Sequence, residues 1–393
     1  MTDVTRDTGL KVGRLWSDER ARSALFQILV VLGLALLVAF IVANTMANLQ
    51  ARGLEPGYGF LGDPAFFEIN QKLIDYASTS TFGRAMVVGL LNTILVAALG
   101  IVTATVIGFV AGVLRLSNNW LIVRLISVYV EFTRNVPVLL QIVFWWSILT
   151  GLPKVADSLS IGGALFLNNR GVRMPAPILE SGFGWVVVFF LLGIVAAVVI
   201  GRWAYRRQMA TGQTFPTFWV GLGLAVVPAL LIYVLLGQPL SWDVPEQTRF
   251  NFRGGFNVTP ELVALWWALA TYTGAFISEI VRAGILSVSK GQTEAAHALG
   301  LRPGLTMRKI IIPQALRVII PPLTSQYLNL TKNSSLAIAI GYQDFVSIGN
   351  TVLNQSGQAI EVVSLWMVVY LSLSLGTSAF MNWYNKHIAL VER

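Results

Sequence analysis

The feature that most constrains this chain is the spacing of its charges. Seven uncharged runs, 23–51, 85–114, 135–153, 181–201, 208–242, 262–278 and 362–385, take up much of its 393 residues. An α-helix rises about 1.5 Å per residue, so about 20 apolar residues cross the ~30 Å hydrocarbon layer of a bilayer. Most of the runs reach that length. Run 262–278 is slightly short, and Glu279 and Arg282 can finish its helix near the headgroups. A further stretch, 318–343, is interrupted only by Lys332. β-Barrel strands are about 10 residues of alternating polarity, and these runs lack that alternation. The expected fold is an all-α polytopic membrane protein with about eight transmembrane helices.

Composition agrees: 55% of residues are hydrophobic and 12% charged, far from the balance of a soluble domain. The chain has no cysteine, which excludes disulfides and thiolate metal sites. His297 and His387 fall in different segments and form no ligand cluster. The first run, 29 residues behind a polar leader, exceeds the roughly 7–15 residues of a signal-peptide core. It reads as an uncleaved anchor.

Orientation follows from lysine and arginine. With the amino terminus in the cytoplasm, eight spans put 18 Lys and Arg in cytoplasmic segments and 8 in the opposite loops. Arg134 and Lys332 lie in or beside spans. That is the positive-inside bias, so both termini are expected in the cytoplasm. The formal charge of +9 is then directed at anionic headgroups, and no aromatic-basic interleaving points to a nucleic acid.

The chain divides into a leader, anchor span and external loop at 1–84, a two-span unit at 85–150, two spans with long external loops at 151–261, and a three-span unit at 262–393. Between the apolar runs of the last unit sits a polar insertion, Glu294-Ala295-Ala296-His297-Ala298-Leu299-Gly300, followed by a basic run to Pro313. Its residues favour a helix, and Gly300 suits a helix end. The alanines allow close approach of another surface, Leu299 offers an apolar anchor, and Glu294 can accept hydrogen bonds. A docking helix and a membrane-surface helix both fit this pattern. No Gly-x-x-x-x-Gly-Lys-Ser/Thr motif occurs, so the chain is not expected to hydrolyse ATP by itself.

Glu294-Ala295-Ala296, Gly300, Ile310 and Pro313 match in spacing and identity the cytoplasmic motif of ABC-importer permeases. Ser278-Glu279-Ile280-Val281-Arg282-Ala283-Gly284 with Lys290-Gly291-Gln292, the Glu131–Gln141 stretch, and Lys332-Asn333-Ser334-Ser335-Leu336 resemble the polar amino-acid branch. The chain thus resembles a permease subunit of a polar or general L-amino-acid ABC importer, in the binding-protein-dependent transport inner-membrane component family. The resemblance spans about 85–150 and 262–385. The extra first span and inserted pair are similar to those of the longer members.

That resemblance implies a five-helix permease core and import of L-amino acids from the periplasm across a bacterial inner membrane. It also implies ATPase subunits that bind ATP and Mg2+, with no cofactor on this chain, a periplasmic binding protein, and a related second permease forming a heterodimer. Glu294, Ala295, Ala296, Leu299 and Gly300 become the candidate ATPase-docking residues. An ion-coupled secondary transporter is the alternative, with Lys332 and Glu279 as coupling groups.

Polar residues inside the spans are candidates for the path or gate: Asn329, Lys332, Asn333, Ser334 and Arg134. Lys332 lies deep enough in its apolar stretch that lipid exposure is costly. It can meet a substrate carboxylate, pair with Glu279 or snorkel towards the interface. Arg134 can attract an anionic group, contact headgroups or pair with Glu131. Glu279 and Arg282, three apart, are a candidate structural pair on one helix face. Pro137 is expected to shape its span, and Pro321-Pro322 are kink candidates.

Overall fold

The computed structural model describes residues 19–51, 57–248 and 251–388. Most of the leader and the last five residues lie outside them. Helix α1 spans Glu19–Ala51, α2 Phe82–Leu114, α3 Trp120–Asn135, α4 Val138–Thr150, α5 Phe183–Thr211, α6 Thr217–Leu235, α7 Pro260–Leu286 and α8 Lys290–Ala298. Then follow α9 at Pro303–Thr306, α10 at Ile312–Asn333, α11 at Phe345–Ser356 and α12 at Ala359–Ile388. Among the described residues six helices, α1, α2, α5, α6, α7 and α12, are long and apolar enough to cross a membrane, or up to eight spans if each of two bent helix pairs counts as one.

Local chemistry sets the helix starts. The Thr81 and Thr259 hydroxyls accept hydrogen bonds from the Arg84 and Leu262 amides at the heads of α2 and α7. Asn119 caps α3 through the amides of Leu121 and Ile122. Each cap satisfies an amide that the helix leaves unpaired. At Pro137 the chain turns by 108° between α3 and α4, as its ring and missing N–H favour.

The core is the crossing of α2 and α7, with α4, α10 and the segment after it packed around them. Lipid supplies no hydrophobic drive between helices, so close backbone approach has to hold such a crossing. Ala104, Gly108 and Gly112 recur every fourth residue along α2 and are buried. A Cβ on Gly108 or Gly112 would collide with Ile277 or Val281 of α7. Helix α1 is exposed along its described residues apart from a half-buried Thr45, and α5 with α6 forms a hairpin packed chiefly on itself.

Two expectations need correction. The stretch 318–343 is not one α-helix: α10 ends at Asn333, a 3-10 segment occupies Ser334–Ile340, and the chain bends by 54° into α11. The cause is local. The Ser334 and Ser335 hydroxyls bond back to the carbonyls of Thr331 and Lys332 at 2.7 and 2.8 Å, and Gly341 takes φ 77°. Asp344 then caps α11 through the Ser347 amide at 2.8 Å. Most of 344–361, expected as an external loop, is therefore helical.

The loops around the inserted spans carry strands that the sequence reading did not anticipate. They are β1 Leu159–Ile161, β2 Leu165–Asn168, β3 Gly171–Met174, β4 Ala176–Leu179, β5 Leu240–Asp243, β6 Glu246–Gln247, β7 Phe252–Arg253 and β8 Phe256–Val258. An antiparallel sheet runs in the order β1-β2-β3-β8, with Val172 opposite Val258, and β4-β5 and β6-β7 form separate pairs. Phe166 and Phe252 meet at 4.9 Å between ring centroids. Strands of two to four residues are too short to show alternation in sequence.

Candidate functional site

The polar insertion folds as the short helix α8. Its end is a Schellman arrangement: the Leu301 amide donates to the Ala296 carbonyl at 3.1 Å and the Gly300 amide to the His297 carbonyl at 2.9 Å. Gly300 has φ 73°, a conformation open to glycine because it lacks a Cβ. Glu294, Ala295, Leu299 and Gly300 are exposed, Leu299 by 79%. Ala296 is 1% exposed, so its methyl faces the helix's own subunit. It drops out of the candidate docking face and instead seats α8. Past it, Pro303 opens α9 and a π-helical turn at Met307–Ile311 leads into α10.

At the ends of α2, α3 and α7 three arginines converge on Glu279. Arg115 Nη1 lies 2.5 Å from Glu279 Oε1, Arg134 Nη1 3.4 Å from the same oxygen, and Arg282 Nη1 3.9 Å from Oε2. The Arg115 side chain is 9% exposed, whereas those of Arg134 and Arg282 are about two-fifths exposed. Arg134 also stacks over the Phe276 ring at 5.2 Å. It therefore pairs with Glu279, not with Glu131. The cluster holds Glu279 and Arg282 together as the sequence spacing suggested, but its shortest contact is to Arg115, which the sequence reading did not single out. Arg115 ends a 30-residue uncharged run, and that position was the available signal.

Helix α10 has two faces. Ala315, Ile319, Ile320, Leu323, Tyr327, Leu330 and Thr331 are buried. Val318, Pro322, Ser325, Asn329 and Lys332 are exposed and recur at steps of four and three, which makes one continuous stripe. Asn329 and Lys332 lie on that stripe, and Asn333 is half-buried. Ser334 is fully buried and donates to the Thr331 carbonyl, so it is a helix-end residue and not part of the exposed face. Among the described residues Lys332 has no carboxylate within ion-pair distance, and Glu279 is committed to its arginines. Pro321 and Pro322 sit inside α10, and α10 runs unbroken through them.

The break after α10 is pinned from behind. Asn92 Nδ2 donates to the carbonyls of Gln71 and Gln343 at 2.8 and 2.9 Å, and the Phe345 amide donates to Thr93 Oγ1 at 3.0 Å. Gln343 Oε1 accepts from the Asn70 amide at 2.7 Å, tying the break to the loop before α2. In that loop Tyr76 donates to the Phe67 carbonyl at 2.9 Å. Burial raises its phenol above the usual range, with the Glu68 charge adding to the effect. Sequence reasoning missed the lock, because the bonds that tie Asn92 and Thr93 to Gln343 and Phe345 join residues some 250 apart.

Residues 189–389 match the model of the family described as binding-protein-dependent transport system inner membrane component. The chain is 52% identical over 400 residues to the general L-amino acid transport system permease protein AapQ of Rhizobium johnstonii, with 100% of both chains covered. It is 42% identical over 418 residues to the glutamate/glutamine/aspartate/asparagine transport system permease protein BztB of Rhodobacter capsulatus, with 98% of each covered. A chain from the crystal structure of an amino acid ABC transporter with histidines aligns at 18% identity and TM-score 0.46, covering 78% of this chain and 95% of that one.

Proposed function

The chain belongs to the binding-protein-dependent transport system inner membrane component family, and from that premise we propose how its elements divide the work. It is a permease subunit of a polar amino-acid ABC importer and moves substrate across the inner membrane. The family implies ATPase and binding-protein partners. In our reading both termini and α8 face the cytoplasm, and the β-strand loops face the periplasm, where a binding protein delivers L-amino acids. A five-helix core built on α2, α7 and α10 carries the path. The ATPase binds ATP and Mg2+, and this chain holds neither.

Docking of the ATPase is assigned to α8. The observation that carries it is an exposed Leu299 beside Glu294 and Ala295, on a short helix seated by Ala296 and stopped by Gly300. An apolar side chain held clear of its own subunit at a fixed helix end suits insertion into a partner's cleft. A membrane-surface helix would need a broad apolar face, and α8 lacks one.

The stripe Ser325, Asn329 and Lys332 is assigned to the path, where Lys332 meets the α-carboxylate that amino acids share. A lysine facing hydrocarbon costs about 2.5–3.5 kcal/mol at mid-membrane, so a second permease covering this stripe is favoured. We take that subunit to be a related chain, giving a heterodimer. Arg134 acts with Glu279, Arg282 and Arg115 as an ionic clamp near the exit. An ion-coupled secondary transporter would need Glu279 free to exchange protons or ions, whereas three guanidinium groups surround it.

The test is recovery of the complex from detergent. Leu299→Asp and Glu294→Lys should reduce co-purifying ATPase at least tenfold while the chain's own membrane yield stays near wild type. Full ATPase recovery with both variants would remove α8 from the docking surface.

A further inference from the structure

The inserted hairpin ends in a tip of unusual composition. Residues 181–242 contain no aspartate or glutamate, yet Arg202, Arg206 and Arg207 lie together near the end of α5. All three are exposed, and Arg202 and Arg206 are four apart, hence neighbours along the helix. Like charges at that spacing repel, and no carboxylate is in ion-pair reach of either among the described residues. Arg207 is held differently. Its guanidinium stacks over Trp203 at 5.5 Å and donates to Gln213 Oε1 at 2.6 Å.

Aromatic rings frame these charges. Trp203 meets Phe215 edge-on at 5.7 Å, and Phe218 meets Trp219 at 5.2 Å. Trp203, Tyr205, Phe218 and Trp219 are each at least half exposed. Both helices of the hairpin are apolar enough to cross a bilayer, so their shared end lies at its surface, the depth at which tryptophan and tyrosine settle. The hairpin packs chiefly on itself, and no carboxylate among the described residues of its own subunit reaches Arg202 or Arg206.

We propose that the α5–α6 tip is a binding site for anionic phospholipid headgroups. Arg202 and Arg206 contact the lipid phosphate, and Arg207, fixed by Trp203 and Gln213, presents a third guanidinium. The aromatic rings lie along the glycerol and upper acyl region. A helix C-terminus also favours cations, but that effect needs no aromatic rim and does not distinguish one lipid from another. The charge complementarity selects an anionic headgroup. The assignment requires only that α5 and α6 cross the membrane. It is independent of the roles given to α8 and α10.

The full-length chain in its assembled complex should be exchanged into mixed micelles with equal amounts of phosphatidylglycerol and phosphatidylcholine. Lipid retained after washing is counted by mass spectrometry. Wild type should retain phosphatidylglycerol preferentially. Arg202→Gln, Arg206→Gln and Arg207→Gln together should weaken that binding on the order of 100-fold, from the worth of a basic residue at an anionic surface. The corresponding triple lysine variant should keep most of it, and Lys154→Gln with Arg170→Gln should change nothing. If the glutamine variant fails to assemble, the lysine variant against wild type and displacement by inorganic phosphate decide the matter. Loss of the preference in the lysine variant, equal retention by the glutamine variant, or displacement by millimolar inorganic phosphate at constant ionic strength would overturn the site.

Discussion

Lys332 stands where α10 gives way to a tighter turn, exposed and without a carboxylate partner among the described residues. Its proposed work needs a positive charge and little else from its neighbours. Lys332→Met should lower uptake per assembled complex about tenfold or more, for several amino acids alike. Lys332→Arg should retain part of it, limited by the planar guanidinium. Uptake in proteoliposomes, normalised to assembled complex, decides; wild-type transport by Lys332→Met would take this residue off the path. Glu279 makes a different prediction. Glu279→Gln leaves Arg115 buried without its counter-charge. The cost of breaking a buried pair is about 3–5 kcal/mol, and the low end applies because the Glu279 side chain is 30% exposed. Thermal unfolding of the complex in detergent should show the loss, and Arg115→Met in the same chain should recover part of it. An unchanged unfolding midpoint would mean that the cluster carries no structural weight. Lys332 was legible in the sequence because it is a lone charge in an apolar stretch. The partner of Glu279 was not, since a three-residue spacing points to Arg282 and the nearest guanidinium belongs to another helix.

At the scale of elements, long apolar helices could be read directly, because each carries its solvent in its own composition. Helix α8 was legible too: helix-favouring residues followed by glycine pointed to a helix ending at Gly300, and the end takes the Schellman form. The break at Ser334–Ile340 was hidden, since hydroxyls bonding back to the preceding turn look, in sequence, like any polar pair in a span. The strands in the loops around α5 and α6 were hidden for their shortness. Their position bears on orientation, which the absence of cysteine makes simple to test. Single cysteines at Ser160 in β1, Glu246 in β6 and Gln355 in α11, all exposed, should react with an impermeant thiol reagent on intact cells. Cysteines at Ala210 and His297 should react only after the membrane is opened. Labelling of His297→Cys on intact cells would invert the orientation and put α8 on the wrong side for an ATPase.

On the scale of the whole molecule, the fold is a dense crossing of α2 and α7 with looser spans around it. The small residues Ala104, Gly108 and Gly112 let those backbones approach, and α10 presents its buried face to the same core. Ser325, Asn329 and Lys332 are left outward on the single chain, the stripe that the proposed reading has a second permease cover. In the proposed reading the exposed α8 is the matching surface for the ATPase. A separate ATPase driving transport through this chain makes one demand on energisation in a sealed system. Proteoliposomes should contain the chain, its permease partner and the ATPase, with the binding protein and labelled amino acid outside. Uptake should require ATP and Mg2+ in the compartment that α8 faces, and persist when proton and sodium gradients are collapsed. Uptake without ATP, driven by an ion gradient through this chain, would make it a secondary transporter and not the permease of an ATP-driven importer.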